Sequence, residues 1–389
     1  MVNARGLVPR DECIIFFFVK YKYNNNKGGD NMELRTVKVK LNVNQNQFES
    51  IQETAKICNK VFQFFANLCN QLQTASYMKL HEPGYSVMRK QYPNLPSGLI
   101  SCVSKIACAC IKSWNTNNPS KKWEYAGIKE SLTIPLDALT YSRRGNLSTF
   151  SSVDGRIRVM HDIPKWFLDK YEIDQNRVQA ANIKITQSGN IMLYLQYRVT
   201  CKDAASGSVV GIDRGLYNLA VLSDGTRYSS KKYTAVKRRR QYQRKKLQQK
   251  GTKSAKRRLR KLSGKEKRFM QDVNHVITKQ LANRQNVSTY VLEDLSRIRQ
   301  DRKGKKINSW LSNWSYFQFQ TFLEYKCRMN GINVVYCNPA YTSQKCNACK
   351  TLDKSARHKS IYTCPICGHV DHADINAAKN IRDNYLCRL

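Results

Sequence analysis

Two pairs of cysteines, Cys346-Asn-Ala-Cys349 and Cys364-Pro-Ile-Cys367, stand with fourteen residues between them. Zinc favours four soft ligands in a tetrahedron, and each Cys-x-x-Cys turn offers two thiolates at once, so two such turns close a structural site. The gap is one residue short of the usual range of about 15 to 20, too small a departure to open the site. Cys346, Cys349, Cys364 and Cys367 are therefore expected to hold one structural Zn2+, with redox use of the pairs as the alternative. A second signal is Asp213, a lone carboxylate on the apolar stretch SVVGIDRGLYNLAVLS, residues 208–223, between Gly211 and Gly215. A charge inside a sheet needs a cation or hydrogen-bond donors around it. The two glycines would let another backbone or a ligand approach, and residues 218–222 return as a second strand.

Two further stretches deliver carboxylates. The strand pattern VSTYVL, residues 287–292, ends on Glu293 and Asp294, and strand ends are where open α/β sheets put their chemistry. Residues 371–385 read as a helix with Asp374 in its first turn, a position that dipole effects alone would also favour. Asp213, Glu293 and Asp374 come from distant segments. In the order of an RNase H-like fold (three antiparallel strands, strand, helix, strand, helix) they converge at one edge of a sheet. Three ionised carboxylates require cations, about two Mg2+, which would activate water and stabilise the leaving oxygen of a phosphodiester. Nucleic-acid hydrolysis is the reaction class this implies. Asp294 and Asp371 are the neighbours most easily mistaken for ligands.

The bulk composition agrees. Among 389 residues, 67 Lys+Arg face 28 Asp+Glu, a formal charge of +39, and such an excess attracts a polyanion. Fourteen cysteines would suit a disulfide framework only in a small secreted chain, so the ten outside the two pairs read as small buried hydrophobes. No apolar run approaches the ~18 residues of a membrane span. Residues 14–19 are apolar but too short, follow Asp11 and Glu12, and lack a cleavage site, so no signal peptide is expected and the location is taken as cytosolic.

The elements that must position these groups can be placed coarsely. Residues 1–31 read as a flexible tail, with Met32 as a possible native start. Residues 32–45 begin with a half-buried strand (Val37, Val39, Leu41). Residues 46–121 carry helical spacing in Phe48, Ile51, Ala55, Cys58, Phe62 and Phe65, whose aromatics read as core, and a second helix-compatible run over 99–114. Strands follow at 131–135, 156–160, 181–185 and 191–199, within a β-rich stretch of 122–200. The polar segment 200–207 marks a boundary. From 231 to 270 nineteen Lys or Arg face one acid, Glu266. That composition suits two basic helices joined near Gly251, a hairpin over 231–286 that holds phosphates through residues such as Arg238, Arg239, Arg240, Arg244, Lys245, Arg257, Arg258 and Arg260. Residues 310–328 read as a helix with core-like Trp314, Phe317, Phe322 and Tyr325, and 332–337 as a last strand.

Four motifs, VGIDRGLYNLAVLSDG at 210–225, LEDL at 292–295, PAYTSQKCNAC at 339–349 and HADINAAKNI at 372–381, resemble the TnpB family, transposon-encoded proteins labelled OrfB-type transposases. The resemblance extends over 32–389 and is most specific from Val209 onward. It implies an α+β multidomain protein: a β-barrel wedge (32–45 and 122–200) interrupted by a helical recognition insertion (46–121), then a split RuvC-like nuclease (208–340 and 371–389) carrying a zinc ribbon (341–370). It implies an RNA-guided, Mg2+-dependent DNA endonuclease that cuts double-stranded target DNA beside a short flanking motif. Guide RNA from the transposon end would be its cofactor, and the protein would be a monomer in the ribonucleoprotein. The family's catalytic triad falls on Asp213, Glu293 and Asp374. Lys350 stands where the family usually has glycine, a departure expected to strain the first knuckle. The alternatives are a DNA transposase acting without guide RNA, a miniature type V CRISPR effector, and a nuclease-inactive RNA-guided repressor.

Overall fold

The structure, a computed structural model, describes residues 32–126, 133–174, 176–186, 188–215, 217–295 and 316–387. The expected tail of 1–31, the start of the strand at 131 and Trp314 lie outside the described residues. The chain divides into two compact units, Met1–Thr200 and Cys201–Leu389. Among the described residues no helix is long and apolar enough to cross a membrane.

In the first unit β1 (Met32–Leu41) pairs antiparallel with β7 (Ile191–Thr200) along its whole length, from Met32 opposite Thr200 to Leu41 opposite Ile191. With β6 (Ala180–Ile185) and β2 (Thr133–Leu136) they form a sheet in the order β1-β7-β6-β2. Helix α1 (Gln45–Gln71) starts at a reciprocal cap: the Asn44 side chain accepts from the Gln47 amide, and the Gln47 side chain from the Asn44 amide. Its buried stripe, Ile51, Ala55, Cys58, Phe62, Phe65 and Cys69, follows the helical repeat, so the phenylalanines 62 and 65 are core as expected. Helix α2 (Tyr77–Gln91) contains Pro83 and Gly84, which hide it from propensity arguments, and α3 (Ser97–Asn117) closes the bundle. Gly84 is a packing requirement, because a Cβ there would lie 2.5 Å from the Phe65 ring.

A second sheet, β3 (Tyr141–Arg144), β4 (Leu147–Ser152) and β5 (Gly155–Met160), has no simple apolar alternation. Its buried face is partly polar. Ser148 Oγ lies 2.6 Å from Tyr141 Oη and 2.7 Å from His161 Nε2, and Arg143 Nη1 lies 2.8 Å from the same nitrogen. Burial first, and then Arg143, pulls the His161 imidazole down to about 4, so it stays neutral. The short helix α4 (Lys165–Tyr171) precedes β6.

The second unit is built on a sheet of order β10-β9-β8-β11-β12. Strands β8 (Ser208–Asp213), β9 (Asn218–Leu222) and β10 (Arg227–Ser229) run antiparallel in sequence, and β11 (Val287–Glu293) and β12 (Asn333–Cys337) extend the sheet in parallel. Between β10 and β11 stand α5 (Lys231–Lys250) and α6 (Lys253–Ala282). Gly251 at φ 63 ends the first helix, and Thr252 caps the second by accepting from the Ala255 amide. The C-terminal half of α6 is amphipathic: Met270, Ile277 and Leu281 join Val210, Ile212, Tyr290 and Leu292 of the sheet. Helix α7 (Tyr316–Met329) adds Phe319, Leu323 and Cys327, whereas Phe317, expected in the core, is 48% exposed. The opposite face carries α8 (Ala373–Leu386), with Val291, Cys337 and Ile381 in contact. Between β12 and α8 lie the cysteine pairs and three short strands, β13 (Arg357–His358), β14 (Ile361–Thr363) and β15 (Val370–His372).

Candidate active site and metal knuckle

Side chains alternate across a strand, so the residues that build the apolar core with α6 and α7 leave the intervening ones for the α8 face. On β8 that face carries Gly211 and Asp213; on β11 it carries Val291 and Glu293. The parallel register sets Val291 beside Gly211 and Leu292 beside Ile212, so Asp213 and Glu293 emerge as neighbours where the two strands end. Gly211 decides how close α8 comes: a Cβ there would sit 2.0 Å from the Ala378 carbonyl oxygen and 2.8 Å from the Arg382 amide. The glycine thus admits a helix backbone rather than a ligand. Its close seat brings Asp374, in the first turn of α8, to the same sheet edge.

Glu293 and Asp374 are held by hydrogen bonds. Thr342 Oγ1 donates to Glu293 Oε1 at 2.5 Å, and Arg214 Nη2 to the Glu293 carbonyl at 2.6 Å. Asn218 Nδ2 donates to Asp374 Oδ2 at 3.0 Å, and Arg357 Nη2 to Asp374 Oδ1 at 2.9 Å. Burial, and then the charges of Glu293 and Asp374, push the Asp213 carboxyl up to about 7, with Arg357 and Arg214 pulling the other way. Burial also raises Glu293, against the pull of Thr342 and Arg214. Such a site carries more negative charge than its arginines offset, and hard oxygen donors in that state suit Mg2+. Asp294 is exposed, and Asp371 is engaged by Lys379 at 2.7 Å and by the His372 amide.

The thiols make a tighter set. Cys346 and Cys367 lie 3.7 Å apart, Cys349 and Cys364 3.5 Å, close to the edge of about 3.8 Å that a tetrahedron of ~2.3 Å zinc–sulfur bonds requires. Among the described residues only these four bring three or more ligand atoms within 4.8 Å of one another, so the three carboxylates are the looser group. The Thr351 hydroxyl and amide draw the Cys349 thiol down to about 6, toward the ligating thiolate. Lys350 adopts φ 63, the left-handed conformation that explains a glycine preference there, and its Nζ is anchored to Asp383 at 2.7 Å. Of the other cysteines in the described residues, Cys387 is exposed and the rest are buried.

Arg238, Arg239, Lys245, Arg257, Arg258 and Arg260 are exposed on α5 and α6, and Arg240 is half-buried. Arg244 is tied to Glu266 of α6, so its charge is largely spent inside the hairpin. In the first unit a concavity of about 490 Å3 was not anticipated. Tyr77, His81 and Tyr85 line it from α2 with ring centres 5.0 Å apart in each successive pair, and Lys105 sits 5.2 Å from the Tyr77 ring centre. Their i, i+4, i+8 spacing was the available signal. Asn218, Thr342 and Arg357 were also missed, and only folding brings them to the carboxylates.

Carboxylates on adjacent parallel strand ends, closed by a helix that follows a four-thiol knuckle, mark out the candidate site of a mixed α/β unit. Comparison with known proteins makes this particular. Residues 193–298 match the family described as "Probable transposase" (OrfB of IS605 type), and residues 316–381 the family described as "Cas12f1-like, TNB domain". The likeness to TnpB-type proteins is therefore borne out over these segments. A "CRISPR-associated endodeoxyribonuclease Cas12f1" of Sulfoacidibacillus thermotolerans is 36% identical over 118 residues, 29% of this chain and 26% of the relative. A TnpB-like protein of Methanocaldococcus jannaschii is 35% identical over 129 residues, 32% of this chain and 45% of the relative. The chain thus spans less than half the length of these curated relatives. The fold is similar to the Cas12f1 chain solved in a complex with sgRNA and target DNA, at a TM-score of 0.61 and 14% identity over 91% of this chain and 99% of that one.

Proposed function

We propose that the chain is an RNA-guided DNA endonuclease of the TnpB type, hydrolysing target DNA with divalent cations held by Asp213, Glu293 and Asp374. The observation that carries this is the meeting of Asp213 and Glu293 at adjacent strand ends, with α8 seated on Gly211 so that Asp374 joins them. On this reading the second unit is a split RNase H-like nuclease with an inserted zinc ribbon, and the strands of the first form the wedge around a helical recognition insertion. About two Mg2+ would supply an activated water and stabilise the leaving oxygen. The chain's own residues do the rest. Thr342 fixes the Glu293 carboxylate, and Asn218 and Arg357 fix that of Asp374. Arg357, still 38% exposed, has further N–H groups for a non-bridging phosphate oxygen. The exposed arginines and lysines of α5 and α6 suit the backbone of a guide RNA or heteroduplex, where charge and shape are read. The aromatic concavity with Lys105 suits bases of a flanking DNA motif.

The test is plasmid cleavage by the full chain co-purified with RNA transcribed from its own locus, against randomised flanking DNA, in Mg2+ or EDTA. Cleavage is expected to need guide match, metal and Asp213, and to vanish in Asp213→Ala. Matched DNA that is bound but never cut by the wild type would leave a repressor instead. The "Probable transposase" match over 193–298 favours one second reading, DNA strand transfer without RNA. Joining of a labelled transposon end by RNA-free protein would establish it.

A further inference from the structure

Helix α8 and the first cysteine knuckle grip each other through buried amides. Asn376 and Asn380 are 0% and 1% exposed. The Asn376 side chain donates to the Lys345 carbonyl at 2.8 Å and accepts from the Asn347 amide at 2.9 Å, so it brackets Cys346 on both sides. Asn380 Nδ2 donates to the Lys345 carbonyl at 2.6 Å and to the Thr342 carbonyl at 3.0 Å. Thr342, itself 4% exposed, then donates its hydroxyl to Glu293 Oε1 at 2.5 Å. The same helix begins with Asp374, which Arg357 reaches from β13 of the ribbon. Two of the three carboxylates are therefore held by side chains that belong to the thiol-bound segment.

We propose that Thr342 is a positioning residue for Glu293, and that the metal of the four-thiol knuckle, through Asn376 and Asn380, keeps Thr342 in place and so sets the cation affinity of the carboxylate site. A glutamate side chain free to rotate must be ordered when a cation binds, and a buried hydroxyl that holds one oxygen has already done that ordering. Partners of ligating carboxylates typically change metal affinity by about 10- to 100-fold. The inference rests on the reading of Asp213, Glu293 and Asp374 as the cation site.

The experiment measures Mn2+ binding to the full chain by the electron paramagnetic resonance signal of free Mn2+. Wild type is compared with Thr342→Val, Thr342→Ser, Asp213→Ala, and wild type stripped of zinc by a thiol-selective reagent that is then removed. Valine keeps the branched shape and loses only the hydroxyl. Roughly tenfold weaker binding is expected for Thr342→Val, recovery to within about twofold for Thr342→Ser, and weakening on zinc removal. Zinc content of Thr342→Val should stay at one per chain, which a merely structural collapse would not allow. If Asp213→Ala weakens Mn2+ binding but Thr342→Val does not, the positioning role is overturned and the cation site stands. If zinc removal leaves binding unchanged while Thr342→Val weakens it, the coupling to the knuckle is overturned. If Asp213→Ala changes nothing, the cation-site reading itself fails.

Discussion

Replacing Asp213 by asparagine is expected to stabilise the metal-free protein while abolishing the proposed nuclease activity. Burial and two neighbouring carboxylates raise Asp213 from an ordinary 3.8 to about 7. A carboxyl whose folded pKa exceeds its unfolded one binds more protons when folded, so the stability it permits is greatest at low pH and falls as pH rises between the two values. Wild type should lose stability relative to Asp213→Asn from about pH 4 up to about pH 7, and no further above that. At 1.36 kcal/mol per pKa step, the full span is on the order of 4 kcal/mol, and from pH 5 to pH 8 on the order of 2 to 3 kcal/mol. Water reaching the partly exposed edge brings the observable value toward the lower figure. Hydrogen exchange of β8 and β11 peptides, followed by mass spectrometry in EDTA, measures it, because comparing the two proteins at one pH cancels the intrinsic exchange rate. Saturating Mn2+ should reverse the order, since only the wild type gains the binding linkage. Equal protection of both proteins at pH 8 in EDTA, or a less protected variant, would refute the electrostatic account of the site.

Gly211→Ala forces a methyl group to within 2.0 Å of the Ala378 carbonyl, a backbone atom that cannot rotate away. It should destabilise the second unit by about 3 kcal/mol or more, read from the urea midpoint, and an unchanged midpoint would mean that α8 is seated differently. Neutralising Arg257, Arg258 and Arg260 together to glutamine should lower the slope of log affinity for single-stranded RNA against log salt by about 2, measured by filter binding. An unaltered slope would remove this face of α6 from the RNA path.

The sequence made visible what is local and periodic. A Cys-x-x-Cys turn declares its thiolates within four residues, and the alternation of β1 or the helical stripe of α1 can be read by spacing alone. Asp213 and Glu293 stand out in the sequence because each interrupts or ends an apolar pattern, and Asp374 only as an acid in the first turn of a helix. Their partners do not: Asn218, Thr342 and Arg357 look like ordinary loop and strand residues until folding brings them to the carboxylates. Helix α2 was hidden by Pro83 and Gly84, whose cost is offset by the fit of Phe65 into the glycine. The β3–β4 hairpin was hidden by its polar inner face, Tyr141, Arg143 and Ser148, where an apolar alternation was sought. Arg244 shows the converse limit of a charge run, which does not reveal that this member is paired with Glu266.

The neighbouring strands β8 and β11 are separated in sequence by the whole basic hairpin. Before they can pair, a loop of roughly seventy residues must close, an entropy cost on the order of 4 kcal/mol that precedes any reward from the parallel ladder. The chain being closed is also strongly positive, so its self-repulsion opposes the same step. Maturation of this unit is thus expected to be slowed by the segment proposed to hold nucleic acid. A polyanion lying along the unfolded hairpin would relieve that repulsion, so the nucleic acid proposed as its ligand would also aid folding.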